Sequence, residues 1–420
     1  MRFQTLAEWL AWQEALHPQT IDLGLGRVAQ VHRDMGMPGR EAFTITVGGT
    51  NGKGSCVAML DSILRSAGYK VATYTSPHIL RYNERICVAG RPVDDSRICA
   101  AFERIDQARG DVSLSFFEFG TLAALDIFSG EDLEVQLLEV GLGGRLDAVN
   151  LIDADISLIA SIDIDHQDWL GDTREAIGYE KAGIFRKDRP AVLGDPSAPF
   201  SVIRHAEEQG VPLYRLGEHF RYETTPAGWT WSSAGTRLEN LPVPAIPGEH
   251  QLMNASAVLQ ALDLAAAQRP VSREAIEAGL RGVNLPGRFQ LFPGEVSVLL
   301  DVAHNNQAVR ILARHLRAHY PGKRIHAVFS VMRDKDIAGI VATIRELIDD
   351  WHLAPLKMAR AAVPEELAAM LHGLGVGSVH ADYDDAGEAF ASARRTAQNG
   401  DLILVFGSFF LVSEYLVHAA

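Results

Sequence analysis

The sequence predicts an α/β protein, with a P-loop-type, mostly parallel sheet in a large N-terminal domain and a smaller Rossmann-like α/β C-terminal domain. Three observations carry this. Short apolar runs alternate with helix-spaced segments along the first half of the chain, the pattern of strands covered by helices on both faces. A glycine loop follows the first of those runs directly. The same alternation restarts after a Pro-Gly break at residues 284–288.

Taken in order, residues 1–16 carry Glu8 and Glu14 inside a Leu/Trp pattern. That reads as an amphipathic helix, since a signal peptide needs a basic start and an unbroken apolar stretch. Residues 43–47, 71–75, 135–140, 156–162 and 191–193 read as buried strands, and 56–67, 94–108 and 116–128 as helices between them. Residues 214–247 are rich in aromatics, Gly, Thr and Pro, and predict a hairpin region or small antiparallel excursion. A long Ala/Leu helix follows at 250–267. Beyond the break come strands at 296–301 and 325–331, helices at 308–319 and 337–348, and a terminal strand at 402–406. The expected domains are therefore 1–284 and 285–420, a division that suits 420 residues.

A formal net charge of −14 argues against a generic nucleic-acid binder. No uncharged run is long enough to cross a bilayer. Cys56, Cys87 and Cys99 show no Cys-x-x-Cys spacing and cannot all pair, which suits reduced thiols in the cytoplasm.

The chemistry starts at Gly48-Gly49-Thr50-Asn51-Gly52-Lys53-Gly54-Ser55, after the run Phe43-Thr44-Ile45-Thr46-Val47. Glycines let backbone approach a phosphate chain, a helix start (expected at Ser55) points N–H groups at the anion, and Lys53 adds a positive charge. The string departs from the standard P-loop, which ends Gly-Lys-Ser/Thr; here Gly54 follows Lys53. Glu139 closes an apolar run and precedes Gly141-Leu142-Gly143-Gly144, the way a magnesium-binding carboxylate is often presented. Asp163, Asp165 and His166 cluster after another run, where a metal ligand could stand beside Glu139; His166 alone reads as readily as a hydrogen-bonded polar residue. Lys181 alone reads as a surface lysine. Ser76-Pro77-His78, with Arg81, Glu84 and Arg85, suits a substrate loop or an ordinary loop with ion pairs. Asp301 and His304 end a strand in the second domain; an Asp there can hold ribose hydroxyls and a His can pack on a purine. Arg288, just past the break, is within reach of a phosphate.

Together these residues resemble the Mur-ligase superfamily, and within it the folylpolyglutamate synthase and dihydrofolate synthase family, over nearly the whole chain. The matching strings are Gly49 to Ser55, Ser76-Pro77-His78, Glu139 to Asp147, Asp165-His166, Glu180-Lys181-Ala182-Gly183, Pro286-Gly287-Arg288-Phe289, Asp301 to Asn305 and Gly407-Ser408-Phe409. Asn306 stands where the family commonly has proline.

The resemblance implies an N-terminal ATPase domain and a C-terminal ligase domain. The expected activity is ATP-dependent addition of L-glutamate to dihydropteroate and to tetrahydrofolates through an acyl phosphate. The alternatives are the folylpolyglutamate synthase activity alone, or another Mur-type amide ligase. Asn51, Gly52, Lys53, Gly54 and Ser55 would hold ATP phosphates, with Asn254, Arg288, Asp301 and His304 as further ATP contacts. Ser76, Glu139 and His166 would bind two Mg²⁺ ions between them, with a carbamylated Lys181 on the second. A monovalent cation is a further expectation. Lys53, Glu139, His166 and Lys181 would be the catalytic set. The pterin would meet Gly24, Leu25 and Gly26, then Ser115, Phe116 and Phe117, and Leu146, Asp147 and Ala148. The segment Ile21-Asp22-Leu23-Gly24-Leu25-Gly26-Arg27-Val28 resembles the dihydropteroate-binding loop of bifunctional bacterial members. The expected partners are these small molecules, without nucleic acid or membrane, for a cytoplasmic monomer.

Overall fold

The apolar runs pair where their burial would place them. In a computed structural model that describes residues 2–19, 21–37 and 42–419, contacts divide the chain into two units. One comprises Met1–Asp163, Leu170–Ala245 and Gln251–Asn284; the other comprises Ile164–Trp169, Ile246–His250 and Leu285–Ala420.

The first unit is built on an eight-stranded sheet in the order Arg91–Pro92, Ile86–Val88, Val71–Tyr74, Val135–Glu139, Phe43–Gly48, Ile156–Ile159, Ala191–Leu193, Leu213–Arg215. Its central strands are parallel and buried along their length, which is why they read as unbroken apolar runs. Only the short strands at the Ile86 edge run antiparallel. Phe43–Gly48 lies between Val135–Glu139 and Ile156–Ile159, so the chain leaves the central strand at a point where the strand order reverses. Ligands of open α/β sheets collect there, at the carboxyl ends.

The expected antiparallel excursion is a three-stranded sheet, Phe220–Thr225, Gly228–Ser233 and Arg237–Leu241. Trp231, fully buried, donates its indole N–H to the Ser256 carbonyl of the helix His250–Ala265 (3.1 Å) and so ties the excursion to the first unit.

The second unit holds a six-stranded sheet in the order Gln290–Phe292, Ser297–Asp301, Leu402–Phe406, Ile325–Phe329, Asp350–Leu353, Val379–His380. All neighbours are parallel except the first pair.

Several boundaries differ from expectation. The helix expected to open at Ser55 is Lys53–Ser66, because Gly52 takes a left-handed conformation (φ 87°) at its N-cap. The run 156–162 leaves the sheet at Ile159, where the chain turns to clip the glycine loop. Helix 337–348 stops at Ile344 and tightens into the 3₁₀ turn Arg345–Leu347. The strand Leu402–Phe406 is followed by the helix Phe409–Ala419. Gly26 opens the helix Gly26–Asp34, so only Gly24 and Leu25 of the expected loop precede it. The three cysteines are free. Among the described residues no helix is long and apolar enough to cross a membrane.

Candidate active site

The glycine loop is held open by its neighbours. Thr50 N–H donates to the Ser161 carbonyl (2.7 Å), and Asn51 N–H donates to Ser161 Oγ (3.2 Å), whose own O–H donates to the Asn51 carbonyl (3.0 Å). Thr50 Oγ1 donates to the Asp163 carbonyl and accepts from Asp163 N–H, both at 3.0 Å. Gly49 sits at φ 142°. A Cβ on Gly52 would come within 2.6 Å of Asn254 Oδ1, so the loop backbone and Asn254 share a gap that only glycine leaves. Asn254 is buried and donates its amide to Gln251 Oε1 (3.0 Å). Lys53 folds back over the loop, its ammonium donating to the carbonyls of Gly49 (2.9 Å) and Thr50 (3.2 Å). A cation and the N-terminal amides of a fourteen-residue helix therefore converge on one spot, the arrangement that binds phosphate.

Glu139 ends the adjacent strand, with Val47 as its register partner. It is 4% exposed, and Oε2 accepts the Ser76 N–H (3.1 Å). Ser76 precedes a cis peptide bond to Pro77. A carboxylate beside a serine, next to a phosphate loop, is the oxygen donor set that Mg²⁺ takes together with phosphate and water. Among the described residues no group of three or more His, Cys, Asp or Glu stands ready for a metal. The donors fit a hard cation that keeps substrate oxygens and water rather than one caged by protein.

Lys181 is not a surface residue: it is 4% exposed, on the helix Arg174–Ala182. That helix is locked to the glycine turn after Glu139. Arg145 N–H donates to the Glu180 carbonyl (2.8 Å), and the Arg145 guanidinium pairs with the Glu180 carboxylate (2.8 Å). A Cβ on Gly144 would come within 3.0 Å of the Lys181 carbonyl.

The expected pterin residues share the first unit. Asp147 is buried; Oδ2 accepts Leu142 N–H (2.8 Å) and Oδ1 accepts Val149 N–H (3.0 Å). Burial pushes its carboxyl up to about 7, against the pull of those N–H groups and of Lys53. Phe117 lies against Gly141, where a Cβ would meet the ring at 2.6 Å, and tilts toward Tyr74 (5.8 Å). Ser115 caps the helix Phe116–Ser129, accepting Glu118 N–H (3.3 Å), so its hydroxyl serves the fold.

In the second unit Asp301 ends its strand, accepting Phe289 N–H (3.1 Å) and Ala303 N–H (2.8 Å). Burial pushes its carboxyl up to about 6, opposed by Arg288. Arg288 lies over the Phe409 ring (5.2 Å). His304 Nδ1 bonds the Val302 carbonyl (2.8 Å), leaving Nε2 3.9 Å from Asp165 Oδ2. Asn306, in place of the common proline, donates to Asp336 Oδ2 (2.7 Å).

Asp165 and Lys335 form a centre outside the expected set of site residues. Lys335 Nζ donates to Asp165 Oδ1 (2.6 Å) and sits 3.4 Å from His166 Nε2; its side chain is 6% exposed. Asn305 donates to Asp165 Oδ2 (2.9 Å). Burial alone would raise the Asp165 carboxyl, but His166, Lys335 and His304 outweigh it and hold it below the ordinary carboxylate range. His166 itself has a left-handed backbone (φ 52°). The signal in the sequence was the string Asp334-Lys335-Asp336 after an apolar strand, a lysine flanked by acids at a carboxyl end.

Comparison places this chemistry in a class. Residues 287–409 match the Mur ligase, glutamate ligase domain. The chain belongs to the dihydrofolate synthase/folylpolyglutamate synthase family. It is 44% identical over 411 residues to the dihydrofolate synthase/folylpolyglutamate synthase of Escherichia coli K12, covering 98% of this chain and 94% of that protein. The structure resembles that of E. coli FolC in complex with DHPP and ADP (TM-score 0.93, 44% identity, covering 99% of this chain and 98% of that one). It also resembles a bifunctional folylpolyglutamate synthase/dihydrofolate synthase with Mn, AMPPNP and L-glutamate bound (TM-score 0.91, 41% identity, covering 99% and 98%).

Proposed function

We propose that the protein is an ATP-dependent ligase that joins L-glutamate to dihydropteroate, forming dihydrofolate, and to the glutamyl tail of tetrahydrofolates. The observation that carries this is the register Val47 with Glu139, which sets a phosphate loop and an oxygen-donor pair side by side at the carboxyl end of one sheet. Its family membership and the nucleotide, metal, pterin and glutamate complexes of similar structures support the same reading.

A carboxylate does not condense with an amine in water because it is a poor electrophile. Transfer of the γ-phosphoryl group of ATP to a carboxylate oxygen releases ADP and leaves an acyl phosphate. The glutamate amine, after losing a proton, attacks the acyl carbon; the tetrahedral oxyanion collapses and phosphate departs. Lys53 and the loop amides neutralise the β- and γ-phosphates and hold them in line. Bound Mg²⁺ supplies charge neutralisation where phosphate and carboxylate would otherwise repel each other. Ser76, Glu139 and His166 would ligate two such ions, with Lys181 on the second. Asn254, Arg288, Asp301 and His304 would hold the nucleoside, and Asp147, Phe116 and Phe117 the pterin. The protein acts as a cytoplasmic monomer, a compartment consistent with three free cysteines.

A coupled assay of ADP release, with glutamate and each acceptor in turn, tests the reading. ADP should appear only when an acceptor and glutamate are both present. Release independent of glutamate would overturn ligation.

Lys181 is expected to carry CO₂ as a carbamate, which turns a buried cation into an oxygen ligand. Lys181→Ala should lose activity by about two orders of magnitude, with part restored by acetate or another small carboxylate. Wild-type activity in that variant would refute the role.

A further inference from the structure

We infer that Arg174 and Asp195 are positioning residues for the phosphate loop: they hold the backbone of Ile162 from behind, so that its two neighbours meet the loop in register. The inference rests on the phosphate site of the proposed function, and every group in it belongs to the first unit. In the segment that leaves the sheet after Ile159, Ser161 and Asp163 bond the loop, and Ile162 stands between them. Its own N–H donates to Asp195 Oδ2 (2.9 Å), and its carbonyl accepts from Arg174 Nε (3.0 Å). Arg174 Nη2 in turn donates to Asp195 Oδ2 (3.1 Å). One ion pair thus takes both backbone groups of the residue in the middle of the clip.

The pair stands where a sheet ladder stops. The strand Ile156–Ile159 bonds its neighbour Ala191–Leu193, and Gly194 N–H on the Ile159 carbonyl (2.8 Å) continues that pairing. One residue further along the neighbour, Asp195 offers its carboxylate. The side-chain bonds let the segment swing toward Thr50 and Asn51 and still leave the Ile162 backbone satisfied. Asp195 is 7% exposed, and its Oδ1 accepts Ser197 N–H (2.9 Å) and O–H (3.0 Å), so the carboxylate is fixed on both oxygens. Arg174 opens the helix Arg174–Ala182, whose far end Arg145 locks to the turn after Glu139. One helix therefore supports the loop at its first residue and meets the glycine turn behind the oxygen donors at its last.

Two opposite charges are more than the Ile162 backbone needs, since one neutral acceptor and one neutral donor would satisfy it. Charge-assisted bonds are shorter and stronger, and they fix angle as well as distance. Their stiffness acts in line with Ser161 and Asp163, and so on Thr50 and Asn51. A phosphate chain bonds several loop amides at once, so a small shift of those two residues weakens the contacts together.

Calorimetry of ADP binding to the full chain in the presence of magnesium tests the inference. Arg174→Ala should weaken ADP by about tenfold. The Arg174 side chain is 37% exposed, so the space it leaves opens to solvent. Dilute guanidinium ion should then recover part of the affinity, and sodium chloride at the same ionic strength should not. Arg174→Lys should lose less than Arg174→Ala. Asp195→Asn keeps an acceptor for the Ile162 N–H but loses the charge, and should shift ADP affinity in the same direction by less. In steady state the ATP KM should rise while the glutamate KM stays put. Thermal melting identifies a variant that fails to fold, and Asp195→Asn, the gentler change, still decides the matter. Wild-type ADP affinity in both Arg174→Ala and Asp195→Asn would overturn the inference. So would a loss in Arg174→Ala that guanidinium repairs no better than sodium chloride, which would reduce the pair to a structural brace. Wild-type protein that bound no ADP would overturn the phosphate site and the inference with it, whereas protein that bound ADP without joining glutamate to either acceptor would overturn ligation alone.

Discussion

Replacing Lys53 by alanine should cut kcat/KM for ATP by roughly three orders of magnitude while the fold survives. The ammonium donates to the Gly49 and Thr50 carbonyls, and its charge also favours the ionised form of the buried Asp147 carboxyl. Thr50 is partly exposed, so water can reach its carbonyl, whereas Gly49 is buried. The loss falls on transition-state charge at the transferring phosphoryl group, which the loop amides and the bound metal then have to neutralise without the ammonium. Steady-state kinetics with thermal melting separates the two effects. Activity within about threefold of wild type would contradict the role, since that corresponds to well under 1 kcal/mol of barrier.

The second large effect belongs to Asp147. Its carboxyl is pushed up to about 7 by burial, so it changes ionisation across the physiological range. An ionised carboxylate can accept N–H donors from a pterin edge, and a protonated one does so poorly. The dihydropteroate KM should therefore fall as pH rises from about 6 to 8. Asp147→Asn should flatten that profile and raise KM by roughly a hundredfold, the scale of one charge-assisted bond. Folding runs the other way. A raised carboxylate pKa means the native state holds the proton more tightly, so this contribution is complete below the ordinary carboxylate value and disappears as pH climbs through 7. Free wild-type protein should lose stability relative to Asp147→Asn over that window. A dihydropteroate KM with the same pH profile in wild type and variant would exclude Asp147 from recognition.

The central strands and the glycine loop were legible because buried parallel strands carry their own signature. Ile45, Val47, Leu137 and Leu158 have little choice but the interior. What escaped was polar residues whose partners are distant in sequence. The strand Asp350–Leu353 is buried throughout, yet its string Asp-Trp-His-Leu looks half polar. Arg324 and Ser378 satisfy Asp350, and Tyr383 satisfies His352. The same holds for the site. Lys53 and Glu139 announce themselves through glycines and strand ends, whereas the burial of Lys181 depends on a helix docking that no local pattern encodes. Asp165 stood inside a recognised string, but its lysine partner lies 170 residues away. The helix Phe409–Ala419 escaped for another reason: Gly407 at φ 113° turns the chain where the strand stops, and Ser408 accepts Leu411 N–H to start a helix that reads as an apolar tail.

The clip between Thr50–Asn51 and Ser161–Asp163 has a thermodynamic consequence for nucleotide capture. Five hydrogen bonds described above already immobilise the cradle. The triphosphate arrives at a rigid receptor, so none of its interaction energy is diverted into organising disordered backbone. Selectivity at this point then comes from how well the anion's shape matches a preset concavity, and substitutions at Ser161 would be felt as weaker nucleotide binding, because its hydroxyl both donates to and accepts from the loop backbone at Asn51.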